Sequence, residues 1–135
     1  MNNYKVGVVF GAFDLLHAGH LHLLSEARKK CDYLIVGLHV DPSIERPEKN
    51  KPIESLLERQ MRLRACKFVD HVFAYETEND ILIYLKARTV DVRFLGSDYI
   101  NNPTKSITGK DLVEIETIES LPIHTSDLRE RIKQS

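Results

Sequence analysis

The sequence has little of several features that would point to particular classes of protein. Its 135 residues include only two cysteines, no tryptophan and 7% aromatic residues. Cys31 and Cys66 have no CxxC spacing, so we expect reduced thiols in the cytoplasm, and neither a disulfide framework nor a thiolate zinc site. The longest strongly apolar run, residues 34–38, is far shorter than the ~20 residues that cross a bilayer. The apolar run at residues 6–13 leads into polar residues without a cleavage site, so we expect no signal peptide.

The sequence also lacks an excess of charge of either sign. Lys and Arg number 19 and Asp and Glu number 20, which gives a formal net charge of −1. A chain without an overall field is poorly suited to bind a nucleic-acid backbone or an anionic membrane, so we exclude both as partners. Any anionic ligand must then be held by a local set of donors. With 42% hydrophobic and 29% charged residues, the length fits one domain over residues 1–135.

Apolar runs alternate with helical patterns along the chain. Residues 5–10 and 33–40 read as buried strands, and residues 20–30 between them have apolar positions at helical spacing. The pattern continues in the same way, so we predict an α/β fold, a Rossmann-like doubly wound sheet of about five parallel strands. Ligands of such sheets bind at the carboxyl ends of the strands. Further strands are predicted at residues 71–75, 90–95 and 113–118, and further helices at residues 55–67, 79–87 and 126–133.

The loop after the first predicted strand, residues 11–20, carries the clearest chemical signal. Gly11 and Gly19 allow main-chain N–H groups to approach a phosphate, and the helix that follows offers free N–H donors. His17 and His20 are three residues apart, so both imidazoles can donate hydrogen bonds into one pocket. Zinc binding by these two histidines with His22 is an alternative, but no carboxylate or thiol completes the set. We predict a phosphoryl displacement in which an ionised phosphate attacks and no general base is needed.

The same loop resembles a known family signature. Gly11-Ala-Phe-Asp14 followed by His17-Ala-Gly-His20 is similar to the G-[ST]-F-D-x-x-H-x-G-H motif of the cytidylyltransferase-like nucleotidyltransferases. Within this family the chain resembles glycerol-3-phosphate cytidylyltransferase and the adenylyltransferase half of the heptose-phosphate enzyme. Further matches are Glu58-Arg59 and the segments at residues 67–72, 94–99 and 123–126.

The resemblance implies a fold, a reaction and its participants. It implies a Rossmann-like domain of the HxGH type, a nucleoside triphosphate with Mg²⁺, a homodimer, and nucleotidyl transfer to a phosphorylated small molecule with release of pyrophosphate. Our main hypothesis is a cytidylyltransferase that transfers CMP from CTP to a glycerol 3-phosphate-like acceptor. The alternatives are an adenylyltransferase that uses ATP and a sugar phosphate, and a nucleotide-binding module without catalysis. No protein side chain is assigned as a metal ligand.

The resemblance also assigns roles to residues. His17 and His20 would be catalytic and stabilise the transferring α-phosphate, while Thr125 and Ser126 would hold the β- and γ-phosphates at the start of the last helix. Hydroxyl groups at a helix N-terminus suit anions on physical grounds as well. The nucleotide-binding residues would be Phe10, Gly11, Ala12, Phe13, His17, His20, Lys51, Arg59, Gly96, Asp98, Ile123, His124, Thr125 and Ser126. The acceptor-binding residues would be Asp14, Asp41, Lys49 and Lys67.

The chain departs from the family pattern at three places. The glycerol enzyme has an arginine just before its last motif, where this chain has residues 119–122, which contain no arginine. Ala12 stands where the motif has Thr or Ser, so only its backbone can contact the ligand. The glycerol enzyme has an acceptor-binding lysine after its third strand, but residues 76–81 of this chain are acidic or neutral, which leaves an acceptor with a cationic group open. Some of these charges have plainer alternative interpretations: Lys49 and Lys51 could be solvated surface charges, and Arg59 could simply pair with Glu58 or Asp70.

Overall fold

A computed structural model describes residues 3–97, 107–122 and 125–134. Within these residues the chain forms one five-stranded sheet with helices between the strands. The elements in chain order are β1 (Tyr4–Gly11), α1 (Ala18–Arg28), β2 (Cys31–His39), α2 (Leu56–Ala65), β3 (His71–Tyr75), α3 (Glu78–Ala87), β4 (Val92–Gly96), β5 (Glu114–Ile118) and α4 (Thr125–Gln134).

All strand pairs of the sheet are parallel, and the strand order is β3-β2-β1-β4-β5. Strands β2 and β3 therefore follow on one side of β1, and strands β4 and β5 follow on the other side. Val8 of β1 lies opposite Ile35 of β2 on one side and Arg93 of β4 on the other. The order reverses between β1 and β4, which is where ligands of open parallel sheets bind. The predicted α/β fold is confirmed.

The sheet is covered on both faces, and each face has its own hydrophobic cluster. On one face Leu24 of α1 and Leu63 of α2 pack with Phe94. On the other face Ile81 and Leu85 of α3 pack with a separate set of strand residues. Strand β2 is buried continuously from residue 34 to residue 39, as expected for a strand with helices on both sides. No helix in the described part of the chain is long and apolar enough to cross a membrane.

The helix boundaries follow from their caps. Helix α1 begins at Ala18, two residues before the predicted start at His20, because a histidine side chain caps it. Helix α2 begins after Ser55, whose hydroxyl accepts from the N–H of Glu58 while the Glu58 carboxylate accepts from the N–H of Ser55. It ends at Ala65, two residues before the predicted end, since the next residue is extended.

Candidate active site

His17 and His20 form a capping box at the start of α1. The Nδ1 atom of His17 accepts a hydrogen bond from the N–H of Gly19 at 3.0 Å. The Nδ1 atom of His20 accepts from the N–H of His17 at 3.3 Å. The first N–H groups of a helix have no partner within it, so the two imidazoles satisfy donors that would otherwise need water or a ligand. The HxGH spacing thus fixes both rings locally.

These hydrogen bonds determine what the imidazoles can offer to a ligand. Because each Nδ1 accepts, a neutral ring carries its proton on Nε2, which is then a donor. The rings of His17 and His20 stack with centroids 3.8 Å apart and planes at 21°. Burial, with the charge of His17 as a second cause, lowers the pKa of His20 to about 3. His20 is therefore neutral near pH 7, and the stacked pair avoids the repulsion of two adjacent cations.

The backbone between β1 and α1 is held in an unusual conformation. Phe13 and Leu15 have φ angles of 48° and 54°, in the left-handed region that side chains other than glycine rarely adopt. The N–H of Leu15 donates to Glu54 Oε1 at 2.8 Å, and Glu54 itself pairs with Arg62 at 2.6 Å. The buried Phe13 ring lies 5.2 Å from the His20 ring. Contacts from the start of α2 thus stabilise a strained loop beside the imidazoles.

Asp14 hydrogen-bonds this loop to the segment before α2 and to α4. Its buried carboxylate accepts from the N–H groups of Ile53 and Glu54 at 2.8 and 3.0 Å. Arg129 of α4 donates to the same carboxylate at 3.2 Å and to the carbonyl of Lys51 at 2.9 Å. Asp14 therefore joins the first loop, the segment before α2 and the last helix.

Arg59 performs a related task from within α2. Its side chain is buried, and it donates to the carbonyls of Glu54, Ala12, His39 and Val40 at 3.2, 3.1, 2.6 and 2.7 Å. Burial lowers the pKa of Arg59, although nearby carboxylates oppose the shift. The guanidinium thus binds main-chain oxygens of the loops that flank the site.

A cavity of about 300 Å³ opens at the carboxyl ends of β1, β2 and β3. Residues 11, 12 and 14 of the first loop form its boundary toward α1, and the loop between β2 and α2 covers it. His17 and His20 do not line the cavity and lie on the α1 side of this boundary. The lining residues are Phe10, Gly11, Ala12, Asp14, His39, Pro42, Glu45, Arg46, Lys49, Asn50, Pro52, Tyr75, Glu78, Arg93 and Arg129.

One side of the cavity, which we call the α3 wall, consists of Arg46, Glu78 and Arg93, and Thr108 is hydrogen-bonded to two of them. Glu78 Oε1 lies 3.5 Å from Arg46 Nη2, and Glu78 Oε2 accepts from the Thr108 hydroxyl at 2.8 Å. Arg93 Nη1 donates to the Thr108 carbonyl at 2.6 Å. The Arg93 guanidinium also lies 5.0 Å from the centre of the Phe10 ring. Charged groups from a loop, a helix and a strand are thereby joined in one network.

His39 forms part of the cavity between this wall and the loop before α2. Its ring stacks on Tyr75 at 4.6 Å, and its Nε2 lies 3.1 Å from the Glu76 carbonyl. Burial lowers the pKa of His39, so a neutral ring that donates through Nε2 is favoured. This histidine is hydrogen-bonded within the fold and also borders the cavity.

Comparison with known proteins places this architecture in a family. The model of the family described as cytidylyltransferase-like matches residues 8–131. The chain belongs to this family. It is 38% identical over 134 residues to bifunctional protein HldE of Helicobacter hepaticus, with 97% of this chain and 27% of HldE covered. For HldE of Campylobacter jejuni the identity is 35% over 137 residues, with 98% and 28% covered. The chain thus spans about a quarter of the length of these relatives.

Two solved structures share the architecture of this chain. The lipopolysaccharide core biosynthesis protein from Thermoplasma volcanium superposes with a TM-score of 0.70 at 25% identity, covering 87% of this chain and 98% of that one. Pantothenate synthetase from Thermus thermophilus has a TM-score of 0.59 at 16% identity, covering 93% and 64%, which shows a shared fold alone.

Several residues assigned from the family motifs meet at the cavity, and others do not. Asp41 accepts from the N–H and the hydroxyl of Ser43 at the start of the covering loop. Lys67 lies before β3, at the amino end of the sheet, with its ammonium over Phe68 and away from the cavity. Lys67 therefore does not line this cavity, and its acceptor-binding role stays a prediction. Phe10, Gly11, Ala12, Asp14 and Lys49 line the cavity.

Other assignments concern the end of β4 and the start of α4. Gly96 is the last residue of β4, beside Ile118. Asp98, Ile123 and His124 lie outside the described residues, as do the side chains of Thr125 and Ser126. The backbone of Thr125 and Ser126 opens α4, as predicted for a phosphate-binding helix start. The roles of these five residues stay predictions.

Sequence reasoning missed two arginines of the cavity. Arg93 was visible as the one charged residue of an otherwise apolar strand, and a buried charge commonly has a specific partner or ligand. Arg129 follows Thr125 by four residues, so both occupy one face of α4. That spacing could have placed Arg129 at the phosphate-binding end.

Proposed function

We propose that the chain is an adenylyltransferase that transfers AMP from ATP to a sugar phosphate and releases pyrophosphate. The observation that carries the proposal is the stacked pair His17 and His20, each with Nδ1 bound to a main-chain N–H. Two Nε2–H donors side by side suit the oxygens of a transferring phosphate. The sequence alone favoured CTP; the matches to HldE, together with the resemblance to the adenylyltransferase half of the heptose-phosphate enzyme, favour ATP.

The proposed reaction is an in-line displacement at the α-phosphorus. An ionised oxygen of the acceptor phosphate forms a new bond to the α-phosphorus, and the bond from that phosphorus to the oxygen bridging to the β-phosphate breaks. Pyrophosphate leaves with that bridging oxygen and the electron pair. The imidazole donors stabilise charge on the non-bridging oxygens, and each preorganised donor contributes about 3–4 kcal/mol in comparable sites. No proton is abstracted, so neutral histidines suffice.

The cavity supports a phosphorylated polar acceptor. Its volume of about 300 Å³ is at the lower end of small-molecule sites. Cations and carboxylates both line it, which suits a molecule that combines phosphate with hydroxyl groups. The cavity meets the β1–α1 loop at Gly11 and Ala12, so an acceptor bound there would present its phosphate toward the imidazoles.

Mg²⁺ and a homodimer belong to the same proposal. Among the described residues no group of three or more His, Cys, Asp or Glu side chains could hold a metal ion. Mg²⁺ commonly binds through substrate phosphates and water with few protein ligands, so we propose that it enters with the triphosphate. For the homodimer, Leu57 and Met61 are exposed on α2 and offer apolar surface.

Pyrophosphate release tests the proposal. The purified protein is mixed with ATP or CTP and with glucose 1-phosphate, glucose 1,6-bisphosphate or glycerol 3-phosphate. We expect pyrophosphate with ATP and a sugar phosphate, and none when either is omitted. A preference for CTP would restore the cytidylyltransferase hypothesis. Binding of a triphosphate without pyrophosphate from any acceptor would instead indicate a module without catalysis.

A further inference from the structure

Arg129 of α4 connects the last helix to two segments that border the cavity. Its Nη2 atom forms an ion pair with Asp14 Oδ2 at 3.2 Å and donates to the Lys51 carbonyl at 2.9 Å. The side chain of Asp14 is 6% exposed and that of Arg129 is 23% exposed, so water reaches the pair poorly. Salt screens such a pair less than it screens an exposed one, so this contact holds α4 more firmly than a surface ion pair would.

The carboxylate that Arg129 binds belongs to the same loop as the imidazoles. Asp14 precedes His17 by three residues. Burial and the charge of His17 lower the pKa of His20, while the charge of Asp14 acts in the opposite direction, so this carboxylate lies close enough to influence the ring. Two main-chain N–H groups of the segment before α2 hold the same carboxylate. The Arg129 guanidinium is therefore fixed relative to the proposed position of the α-phosphate.

Arg129 also lies close to the start of its own helix. Helix α4 begins at Thr125, and Arg129 follows four residues later, so the two positions share one face and are about 6 Å apart along the helix axis. The first main-chain N–H groups of a helix have no partner within it and favour anions. The family resemblance predicts that the β- and γ-phosphates bind at this helix start. Arg129 therefore connects the two places between which the triphosphate would be held.

We propose that the ion pair between Arg129 and Asp14 positions the start of α4 against the β1–α1 loop, so that one triphosphate reaches both the imidazoles and the first N–H groups of α4. Displacement at the α-phosphorus requires the leaving pyrophosphate to lie in line with the attacking oxygen, so a small shift of the helix start would lower affinity and rate. Arg129 is a positioning residue in this scheme because it acts through Asp14. The inference rests on the proposed adenylyl transfer and on the predicted role of the helix start.

Binding of ATP and of AMP separates this role from a general effect on the fold. AMP carries only the phosphate that the imidazoles would contact, whereas ATP carries two more that would reach α4. Calorimetry in the presence of Mg²⁺ gives the Kd of each nucleotide for the wild type and for Arg129→Met. We expect the wild type to bind ATP more tightly than AMP. In Arg129→Met we expect that preference to fall by roughly 10-fold, the effect of one hydrogen bond between charged groups, while the Kd for AMP stays within about 2-fold.

Matched variants separate positioning from the loss of a positive charge. Arg131→Met removes an exposed arginine of the same helix and should leave the preference for ATP unchanged. Arg129→Lys keeps a cation for Asp14 and should retain part of the preference. Asp14→Asn keeps the size of the side chain and removes its charge, so in this background Arg129→Met should lower the preference by less than about 2-fold. A direct contact between Arg129 and a phosphate would instead leave the effect of Arg129→Met undiminished.

Three results would overturn the inference: a wild type that binds AMP as tightly as ATP, an Arg129→Met protein that keeps the full preference, and an effect of Arg129→Met that is undiminished in Asp14→Asn. Thermal denaturation verifies that each variant is folded. If Arg129→Met is not folded, Arg129→Lys takes its place, and an unchanged preference in that variant overturns the inference.

The proposed function is tested separately by pyrophosphate release. If no acceptor yields pyrophosphate, the proposed adenylyl transfer fails, while the ratio of the two dissociation constants still decides the role of Arg129. If CTP is the reacting nucleotide, the same comparison is made between CTP and CMP.

Discussion

The two parts of the candidate site are built in opposite ways. On the α1 side, His17 and His20 come from one turn of chain and are held by adjacent N–H groups, and the lowered pKa of His20 keeps that ring neutral. On the α3 wall, Arg46, Glu78 and Arg93 come from a loop, a helix and a strand, and they are charged. We propose a division of labour in which the local pair, with a neutral His20, serves the reacting phosphate and the charged wall faces the acceptor.

Removing one imidazole should have the largest effect. We expect His17→Ala or His20→Ala to lower kcat by at least ~100-fold with only a modest change in the KM for ATP, because the lost donor acts mainly in the transition state. Steady-state pyrophosphate assays measure both constants. His71→Ala removes an exposed histidine of β3 and is the control. An active His20→Ala enzyme would end the proposed mechanism.

The same contrast explains how much could be predicted from the sequence. The imidazole pair was predictable because its partners lie within four residues, and β2 was predictable because an unbroken apolar run requires cover on both faces. Arg59 was recognised in a motif, but its contacts with residues 12, 39 and 40 exist only after the sheet has formed. The place of Lys67 before β3, away from the cavity, could not be predicted either, since a motif does not say at which end of the sheet a residue lies.

Arg59 binds main-chain carbonyls of both the β1–α1 loop and the end of β2, so its loss should loosen both segments. In Arg59→Met four buried or half-buried carbonyls lose their donor, and an unsatisfied buried group costs about 1–3 kcal/mol. We expect the free energy of unfolding to fall by about 2–3 kcal/mol in urea titrations. Arg64→Met, on the exposed face of α2, should change it by less than about 0.5 kcal/mol. Equal effects of the two variants would show that Arg59 does not hold the loops.

The pKa of His20 gives a prediction on pH. In the folded state this pKa is about 3, against an ordinary value of 6.5. Between these values the unfolded state binds a proton that the folded state does not, so the stability contribution is fully present above pH 6.5 and falls as the pH drops. The slope is at most ~1.4 kcal/mol per pH unit. Urea unfolding of the wild type should therefore lose about 2 kcal/mol more than His20→Gln between pH 6.5 and pH 5. Parallel curves for the two proteins would contradict the depressed pKa.

The smallest effect on catalysis is expected for a substitution of Glu78, because this residue of the α3 wall is an acceptor of hydrogen bonds within the protein. Glu78→Gln keeps an oxygen for the Thr108 hydroxyl but loses the charge that attracts Arg46. Because that pair is partly exposed, its contribution is within about 1 kcal/mol, so the KM for the acceptor should rise no more than roughly 5-fold. We expect kcat and the KM for ATP to stay unchanged, since the imidazole pair lies across the β1–α1 loop. If kcat fell as well, the two parts would be coupled and the division of labour between them would be wrong.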